Sequence, residues 1–349
     1  SLKSGINGLA RAWQSLIRDQ APEPGGQPVN LTTLPASLTG ALNRLVSAIS
    51  DYLADNPPDL VLQELLFECL AFSKLADVFG DHSLCELARP GRGDARLSIQ
   101  NLIPADFLAP RFASAQSTLL FSATLSPGEY YRDLLGLPDD THFRSLPGPF
   151  NADQLQVHFT PHISTRQPDR QRSLAPIADL IARQYRERPG NYLAFFSSFD
   201  YLNQVSDALA QLAPDVPQRS QQPGMSAEQR QDFLDAFGDD TSGLAFAVLG
   251  GIFSEGIDLP GDRLIGAFVA TLGLPPFDNW HEILRQRLEQ RFQAGHDYTY
   301  LIPGMQKVVQ AAGRVIRTQD DQGVIWLVDD RFTQPRIRSL LPGWWGQAT

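Results

Sequence analysis

Cysteine is almost absent from this chain, Cys69 and Cys85 being its only two. Two thiols build neither a disulfide framework nor, by themselves, a zinc or four-cysteine cluster site, so buried free thiols are expected. Lysine is equally scarce. Of 29 Lys+Arg only Lys3, Lys74 and Lys307 are lysine, and none follows a glycine. The phosphate-binding pattern G-x-x-x-x-G-K-[ST] is therefore missing, and so is any DExH tetrad. Apolar runs such as GLAFAVLGGIF and LIGAFVATLGLPP fall short of the roughly 18 to 20 residues a membrane span needs. The opening SLKSGINGLARAW lacks the uninterrupted apolar region of a signal peptide. No membrane partner and a cytoplasmic location, nucleoid-associated in a bacterium, are expected.

Histidine adds little, because the six are scattered and His158 and His162 straddle Pro161 instead of sharing a helical face. No metal site is expected. The formal net charge is -10, so a polyanionic partner would have to find a local basic groove.

What is present, in 349 residues of which 42% are hydrophobic, is enough for two or three compact units. To about residue 80 the pattern is helical: LARAWQSLIRD, SLTGALNRLVSAISDYLADN and PDLVLQELLFECLAFSKLADVFG repeat apolar residues at spacings of three and four, separated by breakers. Beyond about residue 94, short apolar runs (ARLSIQNLI, STLLFSATL, LQVHF, NYLAFFSS, GLAFAVLGG, RLIGAFVATL, GVIWLVDD) alternate with amphipathic stretches such as RSLAPIADLIARQYRER. That alternation predicts an α/β fold, a parallel sheet with helices on both faces, with ligands at the carboxyl ends of its strands. The Gln- and Pro-rich stretch 211–224 is expected to be a loop.

Four stretches carry candidate chemistry. In QAAGRVIR, read as a helix from about Met305 to Arg317, Gln310, Gly313, Arg314 and Arg317 share one face. Two arginines one turn apart suit a polyoxygen anion, and Gly313, costing about 1 kcal/mol against alanine, invites a close approach. The alternative is a solvated face paired with Asp320 and Asp321. GGIFSEGIDLPG, residues 250–261, places Ser254, Glu255, Gly256 and Asp258 in a turn able to face a phosphate or a ribose hydroxyl, or simply a tight turn. LLFSATLSP is read as a buried strand ending in Ser122, Ala123 and Thr124, with an ST-turn as the alternative. YLAFFSSFDYL ends a strand in Ser197 and Ser198, where Ser198 could equally cap the next helix.

Taken in order, SATLSP, FFSSFDYL, GGIFSEGIDLPG and QAAGRVIR resemble motifs III to VI of superfamily 2 helicases, and most closely the DinG/XPD (Rad3-like) DNA helicases. SEGID, the TLGLPP after it and the DDRF at 329–332 are the more specific touches. The resemblance implies a helical arch-like domain over 1–88, the tail of a first RecA-like domain over 89–148 and a second RecA-like domain over 149–349. It implies ATP and Mg2+ bound mainly by an N-terminal helicase domain of the same protein, with single-stranded or forked DNA as partner. Arg317 would reach the γ-phosphate beside Arg314 and Gln310. Glu255, Gly256, Asp258 and Gly313 would line the nucleotide, Ser122, Ala123 and Thr124 would couple hydrolysis to movement, and Ser197, Ser198 and Ser254 would touch DNA. The family's iron–sulfur ligands do not occur in the chain. A non-catalytic nucleic-acid- or protein-binding module stands as the alternative function.

Overall fold

The computed structural model describes residues 1–254 and 259–345. The chain divides into two units, Ser1–Leu119 with Tyr131–Thr141, and Leu120–Tyr130 with His142–Thr349.

In the first unit the expected helices form as α1 (Leu2–Gln20), α2 (Ala36–Asp55) and α3 (Leu60–Asp77), with the short strand β1 (Val29–Leu31) between α1 and α2. Asp59 starts α3 by accepting the Val61 and Leu62 backbone N–H groups at 3.0 and 3.1 Å. Leu42, Leu45, Ile49 and Cys69 form the core of this bundle. Both cysteines are buried and free, and burial pushes the Cys85 thiol up to about 11. The unit also holds a sheet that the helical periodicity did not suggest. Strand β2 (Ser83–Gly91) pairs antiparallel with β1 and with β3 (Asp94–Asn101). Residue 88 lies inside β2, so the hairpin continues past the expected end of the helical region. Helices α4 (Ala105–Ser114) and α5 (Gly128–Leu135) follow.

One expected strand does not form. Residues 117–122 are irregular, and Leu119 and Phe121 are 84% and 87% exposed. An apolar run becomes a strand only where neighbouring backbone completes its hydrogen bonds, and neither sheet of the described residues includes this one.

The second unit is built on β4 (Leu155–Phe159), α6 (Arg170–Glu187), β5 (Asn191–Phe196), α7 (Phe199–Leu212), β6 (Gln218–Ser220), α8 (Ala227–Asp235), β7 (Gly243–Val248) and β8 (Gly266–Val269). Helices α9 (Asn279–Phe292) and α10 (Ile302–Ala312) and strand β9 (Gly323–Leu327) complete it. The six strands are parallel in the order β4-β9-β8-β5-β7-β6. Short β6 arises within the stretch expected to be a loop.

Alternation along each strand sends side chains to opposite faces. Leu193, Phe195, Ala247, Val269 and Ile325 join Met305, Val308 and Ala311 of α10. Tyr192, Ala194, Phe196 and Phe268 join Ile177 and Ile181 of α6 and Leu202 and Val205 of α7. The sheet is thus covered on both faces, as expected, and β5 is buried throughout because strands flank it on both sides.

Candidate functional site

Helix α10 spans the sheet from one edge to the other and sorts the candidate residues into two groups. It is entered through a π-helical turn at Asp297–Leu301. The Pro303-Gly304 pair therefore lies within its first turn and does not break it, since proline there forfeits no required hydrogen bond. Gly304 allows the helix to meet the segment after β8, because a Cβ would sit 2.7 Å from the Leu272 carbonyl oxygen. At its other end Val315 packs against Gly323, where β9 begins, leaving no room for a side chain there. The helix therefore starts at the carboxyl edge of the parallel sheet and finishes at the amino edge.

That path corrects the reading of QAAGRVIR. The helix ends at Ala312, so Gln310, Gly313, Arg314 and Arg317 do not share one face of a continuous helix. Gly313 is the C-cap at φ -64, and a Cβ on it would lie 3.0 Å from the Val309 carbonyl oxygen. Its lack of a side chain thus relieves the chain's own backbone. Arg314 and Val315 donate backbone N–H groups to Ala311 and Ala312 in tighter turns. Val315 and Ile316 are buried while Arg314 and Arg317 keep part of their surface and Gln310 is exposed.

Asp321, a residue the sequence offered only as a surface partner for the arginines, is 7% exposed. Its carboxylate accepts the Arg317 and Thr318 backbone N–H groups at 2.6 and 2.8 Å and the Thr318 hydroxyl at 2.6 Å. Gln154, just before β4, donates its Nε2 to the carbonyl oxygens of Thr318, Gln319 and Asp321 at 3.0 to 3.1 Å. These two side chains determine where the backbone carries Arg317. No periodicity marks either, because both contacts are made with backbone.

Burial works against the charge of Asp321, but hydrogen bonds from the Thr318 side chain and from the Arg317, Thr318 and Gly261 backbone outweigh it and hold the carboxyl below its ordinary range. A depressed carboxylate stabilises the fold fully above the unfolded value of about 4, and that contribution is lost as pH falls through the folded value. Acid unfolding followed by circular dichroism is expected below about pH 4. Asp321→Asn should flatten that acid limb; an unchanged pH dependence would show that Asp321 does not contribute to it.

The carboxyl edge carries the serines. Ser197 follows β5, is exposed, and accepts a hydrogen bond from Arg170 Nη2 at 2.8 Å. Ser198 caps α7, accepting the Tyr201 N–H at 3.2 Å. Ser254 is 1% exposed; its hydroxyl accepts from Gly250 N at 2.9 Å and donates to the Val248 carbonyl oxygen at 3.2 Å. Its hydroxyl is thus engaged within the turn after β7. Of the three serines only Ser197 is exposed. Glu255, Gly256 and Asp258 lie outside the described residues.

A network built on the DDRF stretch ties the segments after β4 and β9 together at this edge. Fully buried Asp329 takes Arg331 Nε and Nη2 at 2.6 and 3.0 Å and Thr165 N and Oγ1 at 2.8 and 2.5 Å. Arg166 pairs with Asp330 at 2.6 Å. The DDRF stretch thus serves the fold through its first acid, a signal visible in sequence only as two acids before an arginine.

Ser122, Ala123 and Thr124 form a local turn in which Thr124 N donates to Ser122 Oγ at 3.2 Å. This is the ST-turn alternative.

At the amino edge a cleft of about 600 Å³ is lined by Arg188, Pro260–Asp262 and Thr318 with Asp320–Gln322. Three carboxylates against one guanidinium make this cleft a poor fit for a polyphosphate. Among the described residues no group of three or more His, Cys, Asp or Glu is placed to hold a metal ion.

Residues 181–348 match the helicase C-terminal domain family. The chain is 26% identical over 282 residues to the ATP-dependent DNA helicase chl-1 of Caenorhabditis elegans, covering 73% of this chain and 33% of that protein. It is 26% identical over 266 residues to the XPD helicase subunit of the general transcription and DNA repair factor IIH of Dictyostelium discoideum, covering 68% and 33%. The ATP-dependent DNA helicase XPD of Sulfolobus acidocaldarius is 25% identical over 224 residues, covering 62% and 39%. The chain thus spans about a third of the length of these relatives. Its fold is similar to a solved apo XPD, with a TM-score of 0.59 at 18% identity over 97% of this chain and 69% of that one. A domain match that takes in β5 to β9 and relatives among the XPD/Rad3-like helicases agree: residues 181–348 carry the helicase C-terminal domain, and the chain is similar to the C-terminal part of the DinG/XPD-like superfamily 2 helicases.

Proposed function

We propose that this chain supplies the second RecA-like half of an ATP-dependent 5′-to-3′ DNA helicase acting in repair or replication. The observation that carries the proposal is the separation of its two polar groups. Arg314 and Arg317 are delivered to the amino edge of one sheet and Ser197 to the carboxyl edge, with buried α10 running between them. A nucleotide contact at one edge and a DNA contact at the other can then be coupled through one packed body. ATP, held with Mg2+ mainly by a first RecA-like domain, supplies the phosphoryl group. Arg317 and Arg314 place positive charge where its oxygens gain negative charge, with Gln310 beside them, and Glu255, Gly256, Asp258 and Gly313 complete the nucleotide side. Ser122, Ala123 and Thr124 transmit closure.

The exposed Leu119–Phe121 run supports the same reading. It has the composition of a parallel strand without the strand beside it, and a first RecA-like sheet would supply that neighbour. The purified 349-residue chain is expected to turn over no ATP, and the longer protein that contains it to show DNA-stimulated turnover. Robust hydrolysis by this chain alone, or a longer protein without a phosphate-binding loop, would overturn the proposal.

A further inference from the structure

Four cations gather near the carboxyl edge of the sheet, and they differ in how they are compensated. Arg166 and Arg331 are paired with Asp330 and Asp329. Arg170 and Lys307 have no carboxylate partner among the described residues, although the chain carries a net charge of -10. An uncompensated cation in an acidic protein raises the question of what anion it meets.

Arg170 opens α6 and is held in a fixed pose. Its guanidinium lies over the Tyr201 ring, 5.1 Å from the centroid, and Nη2 donates to Ser197 Oγ at 2.8 Å. The Tyr201 hydroxyl is in turn 2.6 Å from Ser173 Oγ, so the platform beneath the arginine is itself fixed. Nε of Arg170 is buried with no hydrogen-bond partner. Such a donor costs free energy unless a ligand satisfies it or the guanidinium as a whole gains something in return.

Lys307 lies one strand away. The ends of β5 and β7 are joined by Leu249 N to the Phe196 carbonyl oxygen at 2.8 Å, which places the Ser197 and Gly250 turns side by side. Gly250 has φ +78, and a Cβ there would meet Lys307 Cδ at 3.3 Å and Nζ at 3.7 Å. The glycine therefore does two things: it accepts the left-handed backbone and it leaves the lysine lying along the turn.

We infer that Arg170 and Lys307 bind successive backbone phosphates of a single-stranded nucleic acid crossing the ends of β5 and β7, with Arg170 also orienting Ser197 toward the same strand. This rests on the proposed helicase reading and assigns to it two residues that lie outside the four motif stretches. A planar guanidinium already committed to Ser197 through one nitrogen still presents others to a phosphate. The lysine serves as a point charge at the neighbouring strand end.

The test is the salt dependence of binding of a fluorescein-labelled oligothymidylate to the 349-residue chain, measured by anisotropy. Each phosphate contact contributes about 0.7 to the slope of log affinity against log salt on a single strand. Arg170→Gln and Lys307→Gln are each expected to reduce the slope by about 0.7, and the double variant by about 1.4. Arg170→Lys should retain the slope while weakening affinity, since it keeps the charge but loses the fork. A merely structural role would not move the slope of a folded variant. Wild-type slopes in the folded Gln variants would overturn this inference and leave the helicase reading standing. Failure of the wild-type chain to bind the oligonucleotide at all would count against both.

Discussion

Replacing Arg317 by alanine in the longer helicase is expected to lower DNA-stimulated ATP turnover by a factor of about a thousand or more. The size follows from the role proposed for it. A guanidinium that meets charge developing on a transferred phosphoryl group acts in the transition state, where one well-placed donor has its largest effect. Arg317 is favoured over Arg314 as the larger loss because its backbone is anchored on both sides, by Asp321 at its own N–H and by Gln154 at the carbonyls that follow. Arg317→Lys should rescue little, since a point charge does not reproduce the planar fork. Oligonucleotide affinity in the absence of nucleotide should be unaffected, because Arg317 lies at the amino edge and the proposed nucleic-acid contacts at the other. Unchanged ATPase activity in Arg317→Ala would remove the arginine-finger role.

The largest expected effect on stability is at Asp329. This carboxylate is 0% exposed and satisfies Arg331 and Thr165 with five hydrogen bonds. Burial opposes its ionisation, and the Arg331 and Thr165 bonds overcome it, holding its carboxyl below the usual range. Asp329→Ala would leave the Thr165 donors and a largely buried guanidinium without their acceptor. Breaking one side of such a pair costs about 3 to 5 kcal/mol when it is fully buried. Because the Arg331 side chain is 20% exposed, about 3 kcal/mol is the expected loss, read as a fall in the denaturant midpoint. A loss below about 1 kcal/mol would mean that water replaces the carboxylate freely.

How much of this was legible in the sequence depended on how local the signal was. LQVHF, NYLAFF, GLAFAV, GAFV and GVIWL were readable as strands because each is a short apolar run bounded by turn residues, and each is one. STLLFSATL carries the same local signal and forms none, since its composition does not state whether a neighbour is there to pair with. ARLSIQNLI was readable too and is β3, but its antiparallel neighbours β1 and β2 were missed because β1 is three residues long and β2 alternates with charges and a proline. Gln154, Asp321 and Asp329 were invisible as organisers. Gln154 and Asp321 act largely on backbone groups, far along the chain or across a turn, while Asp329 joins Arg331 to the distant Thr165, and a side chain's choice of such partners leaves no pattern along the chain.

The amino-acid sequence by itself determined the order of the motifs, the alternation of strand and helix, and through these the family resemblance. It also determined that a phosphate-binding lysine is not among these residues. Only the tertiary structure decided on which edge each candidate stands. The parallel sheet places β9 between β4 and β8, and β5 between β8 and β7, an arrangement fixed by burial on both faces and not by adjacency in the chain. That ordering ends α10 at the amino edge, so Arg314 and Arg317 leave the helix for a loop held by Asp321 and Gln154. The same ordering sets Ser197 beside Gly250 at the opposite edge, because side-chain periodicity specifies which face of an element is buried but not which element it is buried against.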